Sequence, residues 1–137
     1  MKKSLLIACI ILPTYSWAQS VLQADNTFYA AKAVNQADGT EVVYNCSFIT
    51  HTNQVFDWSQ RSGARVSHYN ITSTAGEWAD LQQNGSMVLN LENDSVTGTA
   101  TITRANGVLS IHLQMWVNGQ TDLDYVFSIS SVETAQP

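Results

Sequence analysis

The chain contains few of the residues that catalytic and metal-binding motifs require. It has two cysteines, Cys9 and Cys46, and three histidines in 137 residues. It lacks C-x-x-C, H-x-H, H-E-x-x-H, G-x-S-x-G and glycine-rich phosphate-loop patterns. These absences leave zinc sites, serine hydrolases and nucleotide-binding enzymes without support in the sequence. We therefore expect no cofactor, no metal and no catalytic residue, and we predict that the protein is not an enzyme.

Basic residues are also scarce, since six Lys and Arg stand against eleven Asp and Glu and the isoelectric point is about 4.8. Two of the six, Lys2 and Lys3, lie at the N-terminus. An acidic chain disfavours nucleic acid and anionic membranes as partners. It favours solubility, or binding to a cationic protein.

Residues 1–18 have the pattern of a secretory signal peptide. Lys2 and Lys3 precede the apolar run Leu5–Leu12, and Ser16-Trp17-Ala18 places small residues before a cleavage site. The run is far shorter than the ~18–20 residues of a membrane-spanning helix. We expect secretion into the periplasm of a Gram-negative bacterium, without a membrane span.

The same segment contains Leu6-Ile7-Ala8-Cys9, which resembles a lipoprotein cleavage box. Too few residues precede the cysteine and the apolar run continues beyond it, so we do not expect lipid anchoring. Cleavage after Ala18 would leave Cys46 as the single cysteine, which excludes an internal disulfide. Cys46 alternates with Tyr44 and Phe48, so we expect a buried, inert thiol.

Alternating apolar residues and turn signals predict an all-β fold. Four strands follow one another between Ser86 and Val132, with turns at Asn93-Asp94, Asn106-Gly107 and Asn118-Gly119. Eight sequential strands predict a single-domain antiparallel meander, closed or nearly closed into a barrel, with a two-sheet β-sandwich as the alternative. The four earlier strands are predicted at Thr27–Asn35, Glu41–Thr50, Val55–Gln60 and Arg65–Ser73.

The predicted organisation is a signal peptide (1–18), a loose lead-in (19–26), a barrel-like domain (27–132) and a C-terminal tail (133–137). Between Thr74 and Gly85 the pattern is irregular. Trp78 and Leu81 are three residues apart, which favours one helical turn that places both side chains under the sheet.

The register of each hairpin follows from matching the apolar faces of its strands. The expected pairs are Phe48 with Phe56, Leu91 with Val96, and Ile102 with Ile111. In the hairpin at Asn118-Gly119, a two-residue loop would place apolar residues of one strand opposite polar residues of the other. We therefore predict a three-residue loop, 117–119, with a G1 bulge at Gly119 that pairs Leu113 with Leu123.

This register places a polar group on one face of the last hairpin. A histidine opposite an aspartate can form a charge-assisted pair, a catalytic dyad or half of a metal site, and a solvent-facing polar pair is the favoured interpretation. A ligand-contact or partner-contact surface is the alternative, because a tryptophan ring suits both. The group consists of His112 opposite Asp124, Gln114 opposite Asp122, and Trp116.

A second group is aromatic, and at strand spacing it predicts packed core in preference to the lining of a ligand cavity. Tyr44 and Trp58 are its candidate ligand contacts. The group consists of Tyr44, Phe48, Phe56, Trp58 and Tyr69.

Three short fragments are similar to parts of two known families, and none of them assigns the chain to a family. Gly76-Glu77-Trp78 is similar to the G-x-W of lipocalins but lies mid-chain, and Tyr44-x-Cys46 with Ser62-Gly63-Ala64-Arg65 resembles pieces of periplasmic c-type lysozyme inhibitors. The functional expectation is a secreted binding protein for a small apolar molecule or lipid. The alternative is an inhibitor-type or immunity-type module that binds a cationic protein with its acidic surface.

Overall fold

The computed structural model describes residues 20–135, apart from the side chain of Arg61, as an eight-stranded antiparallel barrel. Each strand pairs with the next, and the last pairs with the first, so the predicted meander and closed barrel are confirmed and the sandwich alternative is wrong. The predicted signal peptide lies outside the described residues. The strands are β1 (Asn26–Asn35), β2 (Glu41–Thr50), β3 (Val55–Gln60), β4 (Arg65–Ala75), β5 (Gly85–Asn93), β6 (Val96–Ala105), β7 (Val108–Val117) and β8 (Gln120–Thr134).

The interior of the barrel is filled by alternate residues of the strands. Phe48 and Phe56 stack with ring centroids 5.7 Å apart, and Phe127 meets Phe48 edge-on at 4.9 Å. All three rings are fully buried. The predicted aromatic group is therefore core at Phe48, Phe56, Trp58 and Tyr69, whereas Tyr44 is partly exposed.

One end of the barrel, which we call the plugged end, is covered by the buried side chains of Val21, Trp78 and Leu81. A short 3₁₀ turn, Val21–Gln23, precedes β1, and the Val21 N–H donates to the Trp78 carbonyl at 2.8 Å. The prediction of a loose lead-in is therefore wrong from Ser20 onward, because burial of Val21 attaches this segment to the barrel.

Trp78 and Leu81 are buried as predicted, but without the predicted helical turn. The Asp80 side chain accepts the Gln82 N–H at 2.9 Å, and the Trp78 indole N–H donates to the Gln83 carbonyl at 3.1 Å. An aspartate that bonds the backbone two residues on stabilises a turn, and this local bond competes with a helix.

A fully buried asparagine joins the plugged end to the barrel. Asn26 donates from Nδ2 to the carbonyls of Val21 and Ala24 at 2.6 and 3.1 Å, and its Oδ1 accepts from the Thr134 hydroxyl at 2.8 Å. Thr134 ends β8, so the predicted tail (133–137) begins inside a strand. These bonds satisfy the buried amide where the first and last strands meet.

Two hairpins keep the predicted faces but shift their register by two residues. Phe48 pairs with Trp58, because the last pair of this hairpin is Thr50 with Phe56 and five residues lie between them in place of the expected three. Leu91 pairs with Gly98 across an Asp94-Ser95 turn in which Asp94 has a φ of +45°. A two-residue shift leaves every side chain on the same face, so face matching could not detect it.

The hairpin at Asn106-Gly107 has the predicted pairing of Ile102 with Ile111. The prediction for the last hairpin is wrong in its turn and in its register, since Leu113 pairs with Tyr125 and Leu123 pairs with Met115. Asn118 and Gly119 have φ values of +51° and +79°, which is the geometry of a tight two-residue type I′ turn. The additional residue is instead Asp122, as a bulge within β8.

Candidate functional site

The end of the barrel opposite the plugged end carries only short turns between strands. We call it the open end, because the apolar side chains that face inward there are only partly buried. Tyr44 and Tyr125 approach each other with ring centroids 6.4 Å apart. The open end is lined by Val42, Tyr44, Val96, Leu123 and Tyr125.

Tyr44 and Trp58, the two aromatic candidates from the sequence, are in contact at this end. Their rings stack with centroids 6.0 Å apart, and Trp58 stacks in turn on Phe48 at 5.9 Å. Trp58 is 6% exposed and lies one layer below Tyr44. The pair therefore forms the boundary between the partly open layer and the filled core.

Polar groups also face inward on the wall formed by β2 and β3. The Tyr44 hydroxyl donates to Gln60 Oε1 at 2.6 Å, and Gln60 pairs directly with Cys46. The Trp58 Nε1 has no hydrogen-bond acceptor among the described residues. Ligand sites usually combine a few polar groups with mostly apolar side chains, and this layer of the barrel has that composition.

Cys46 is a free, half-buried cysteine within this wall. Burial raises the pKa of Cys46 to about 11, and the nearby Trp58 N–H opposes part of that rise. A thiol sulfur is a weak acceptor, so this proximity does not satisfy the indole donor. The direction of the shift agrees with the predicted inert thiol, because the thiolate is the reactive form.

We expect native Cys46 to react with iodoacetamide roughly 100-fold more slowly near pH 8 than in the unfolded chain, because a pKa raised by about two units lowers the thiolate fraction by that factor. The rate should rise about tenfold per pH unit towards pH 11. Mass spectrometry of alkylated protein, with and without urea, measures both rates. Equal rates in the two states would show that the thiol is not perturbed by folding.

The predicted polar group lies on the outer wall of the barrel. His112 Nε2 is 2.6 Å from Asp124 Oδ1, so this contact is confirmed. It is diagonal, because His112 pairs with Val126 and Asp124 pairs with Gln114. The predicted pairing of Gln114 with Asp122 is therefore wrong.

Trp116 and Asp122 flank the bulge in β8. Trp116 pairs with Thr121 and is partly buried, whereas Asp122 is exposed and unpaired in the ladder. The seven candidates from the sequence thus form two sets on opposite sides of the barrel wall. Tyr44 and Trp58 face the interior, and the other five belong to the outer face of β7 and β8.

Sequence reasoning missed a second histidine–aspartate group on the outer wall. Asp57 lies between two imidazoles, at 2.9 Å from His51 Nε2 and 2.5 Å from His68 Nδ1. His51 Nδ1 is also 3.5 Å from Asp25, whose pKa is lowered chiefly by the Thr52 backbone N–H. The sequence feature that could have revealed this group is the position of Asp57 opposite His68 in the hairpin of β3 and β4.

This group connects the lead-in to the turn after β2 and to strands β3 and β4, and its short contacts are hydrogen-bond distances. Nitrogen and oxygen ligands around a zinc ion stand about 3.3 Å apart, since each lies about 2.0 Å from the metal in a tetrahedron. Within residues 20–135, no group of three or more His, Cys, Asp or Glu side chains has a geometry suited to a metal ion. We assign the group a structural role.

Comparison of the chain with protein-family models, with curated proteins and with solved structures finds no match. In the part of the chain that the structure describes, no helix has the length and apolar character needed to cross a membrane.

Proposed function

We propose that this protein is a secreted binding protein that holds a small, mostly apolar molecule at the open end of its barrel. The observation that carries the proposal is the difference between the two ends. Val21, Trp78 and Leu81 are at most 7% exposed at the plugged end, whereas the inward-facing Tyr44 and Tyr125 are only partly buried. Partly exposed aromatic rings at a barrel mouth are suited to a ligand.

The filled core limits the size of the ligand. Phe48 and Phe127 are fully buried directly below the layer of Tyr44 and Tyr125. An extended acyl chain needs a continuous channel, whereas a compact ring system needs only the upper layer. We therefore favour a compact ligand over a long-chain lipid.

The alternative of an acidic surface that binds a cationic protein stands second, because several of its carboxylates already have partners. Asp57 and Asp124 contact histidines, and Glu41 lies 3.6 Å from Lys32. Exposed Asp122, beside Trp116, is the local feature that favours this alternative. Loss of a protein complex on addition of salt would support it.

Equilibrium dialysis against 2-ethylnaphthalene tests the proposal. We expect saturable binding that Leu123→Asp weakens at least about tenfold, because the carboxylate would have to lose water against an apolar ligand. Leu123 is one of the partly buried residues of the open end. The ring system of the probe is compact enough for the upper layer alone.

The matched control is Val108→Asp, at a residue that is 62% exposed near the plugged end. This variant should bind the probe as the parent protein does, and thermal melting should show that both variants are folded. The proposal is wrong if the parent protein shows no saturable binding, or if both variants weaken it equally.

A further inference from the structure

The ladder between β7 and β8 covers only part of β8. Its last pair towards the plugged end is Ser110 with Ser128, whereas β8 continues to Thr134. Of the described strands, only β1 pairs with this last part of β8. A strand with a neighbour on one side presents a row of backbone N–H and C=O groups on its other side. We call residues 131–134 the free edge of β8.

The hydrogen bonds to β1 show which backbone groups of the free edge lack a neighbouring strand. The Ala135 N–H donates to the Asp25 carbonyl at 2.8 Å, so these two residues form a hydrogen-bonded pair in register with the β1–β8 ladder. Such pairs alternate with pairs that are not hydrogen-bonded, and Thr134 and Val132 belong to the second kind. Their N–H and C=O groups therefore point away from β1, towards the place that β7 leaves empty.

An arginine lies where this empty place begins. A cleft of about 270 Å³ lies between the end of β8 and the β6–β7 turn, and Arg104, Gly107 and Val108 contribute to its lining. Arg104 donates from Nε to the Leu81 carbonyl at 2.5 Å and from Nη1 to the Gly107 carbonyl at 3.2 Å. Two neutral acceptors thus hold the guanidinium in place and leave its other N–H groups for an anion.

The charge of Arg104 has no carboxylate partner within the described residues. None of the ion pairs found there includes this guanidinium, although the chain contains eleven Asp and Glu. Glu133, the acidic residue of the free edge, has its carboxylate 3.1 Å from the Tyr29 hydroxyl. A planar guanidinium in this situation is suited to a carboxylate from another molecule.

We propose that the free edge of β8 binds the C-terminal segment of another protein as an added strand, with its terminal carboxylate on Arg104. A strand that is antiparallel to β8 runs in the direction of β7, so its carboxyl end arrives beside Val108 and Gly107. The Arg104 guanidinium is held at that position by the Gly107 carbonyl. Val108 is 62% exposed and offers an apolar contact to the last side chain of the peptide.

Fluorescence anisotropy of an N-terminally labelled Thr-Val-Thr-Val peptide tests the proposal, since backbone hydrogen bonds supply the affinity of strand addition. We expect the peptide with a free carboxylate to bind at least about tenfold more tightly than its C-terminal amide, the size of a charge-assisted hydrogen bond. Arg104→Gln should abolish this difference. Arg65→Gln is the matched control, because it removes an exposed arginine at the open end and should preserve the difference.

Peptides that are methylated at one backbone nitrogen test the strand addition in the parent protein. Alternate amides of an added strand face β8, and the others face away from it. We therefore compare methylation at the second residue of the peptide with methylation at the third. One of these two peptides should bind at least about tenfold more weakly, and the other should bind as the unmodified peptide does.

Equal affinities of the parent protein for the carboxylate and the amide would overturn the proposal, and this comparison holds even if Arg104→Gln fails to fold. Equal effects of the two methylations would overturn the added strand. A dimer of the protein in sedimentation, dissociated by the peptide, would also overturn it and assign the free edge to a second copy of the chain. No binding of either peptide up to about 1 mM would do the same, and dialysis with 2-ethylnaphthalene would still test the open end separately.

Discussion

Replacing Phe127 with alanine should lower the free energy of unfolding by about 3–5 kcal/mol, the usual cost of deleting a buried aromatic ring. Phe127 is fully buried and contacts four other rings. Its centroid lies 4.9 Å from that of Phe48, 5.4 Å from Tyr44, and 6.0 Å from both Trp58 and Tyr125. The substitution would leave a cavity beside β8, the strand that closes the barrel by pairing with β1.

Urea denaturation followed by tryptophan fluorescence measures this loss. Val43→Ala is the control, since Val43 is 84% exposed on β2 and its truncation should change stability by less than about 0.5 kcal/mol. A small domain has only about 5–15 kcal/mol of stability, so the Phe127 variant should be close to unfolding at physiological temperature. A loss under about 1.5 kcal/mol, the range of tolerated volume-conserving changes, would mean that the core is packed less tightly around Phe127 than its ring distances indicate.

Gly98→Val should destabilise the barrel by about 3 kcal/mol, because the wall is overpacked at this point. A Cβ at Gly98 would lie 2.3 Å from Met115 Sδ and 2.6 Å from the Gln114 backbone oxygen. The methionine side chain can move, but the backbone oxygen belongs to the β6–β7 ladder and cannot. The bulky Met115 pairs with the small Gly98 at this point of the wall.

Two further variants identify the source of this strain. Thr97→Val, at the exposed preceding position that faces outward, should leave stability nearly unchanged. Gly98→Ala combined with Met115→Ala should remain less stable than Met115→Ala alone, since only the contact with the backbone oxygen persists. If Gly98→Val unfolds at the same urea concentration as the parent protein, the close approach of β6 and β7 is wrong.

The sequence was enough to predict which side chains face the barrel interior, because successive side chains of a strand point to opposite faces of the sheet. Ile102 with Ile111 was correct in register as well, since the Asn106-Gly107 turn admits one tight geometry. The predicted partners of Leu91 and Phe48 were wrong, and in each case the observed partner lies two residues further along the strand. Two registers that differ by two residues place the same apolar side chains on the same face. The hydrophobic pattern therefore cannot distinguish them, and the geometry of the turn decides between them.

The sequence predicted which residues are candidates for the site better than it predicted how they are arranged. His112 and Asp124 meet although their strand partners were wrong, because a diagonal contact is within reach of an imidazole ring. Tyr44 and Trp58 could be proposed as aromatic neighbours. Nothing in the local pattern of Trp58 indicated a buried N–H without an acceptor, because that depends on which groups three other strands place around it.

The sequence by itself determined an all-β chain with alternating faces, sequential hairpins and an aromatic interior. Only the tertiary structure decided which end of the barrel is covered, that Asp57 lies between His51 and His68, and that the additional residue of the last hairpin is Asp122. The physical reason is the separation in sequence between the residues that interact. Alternation and turn chemistry act between neighbours in the chain, whereas covering an end or gathering histidines depends on contacts between residues far apart in sequence.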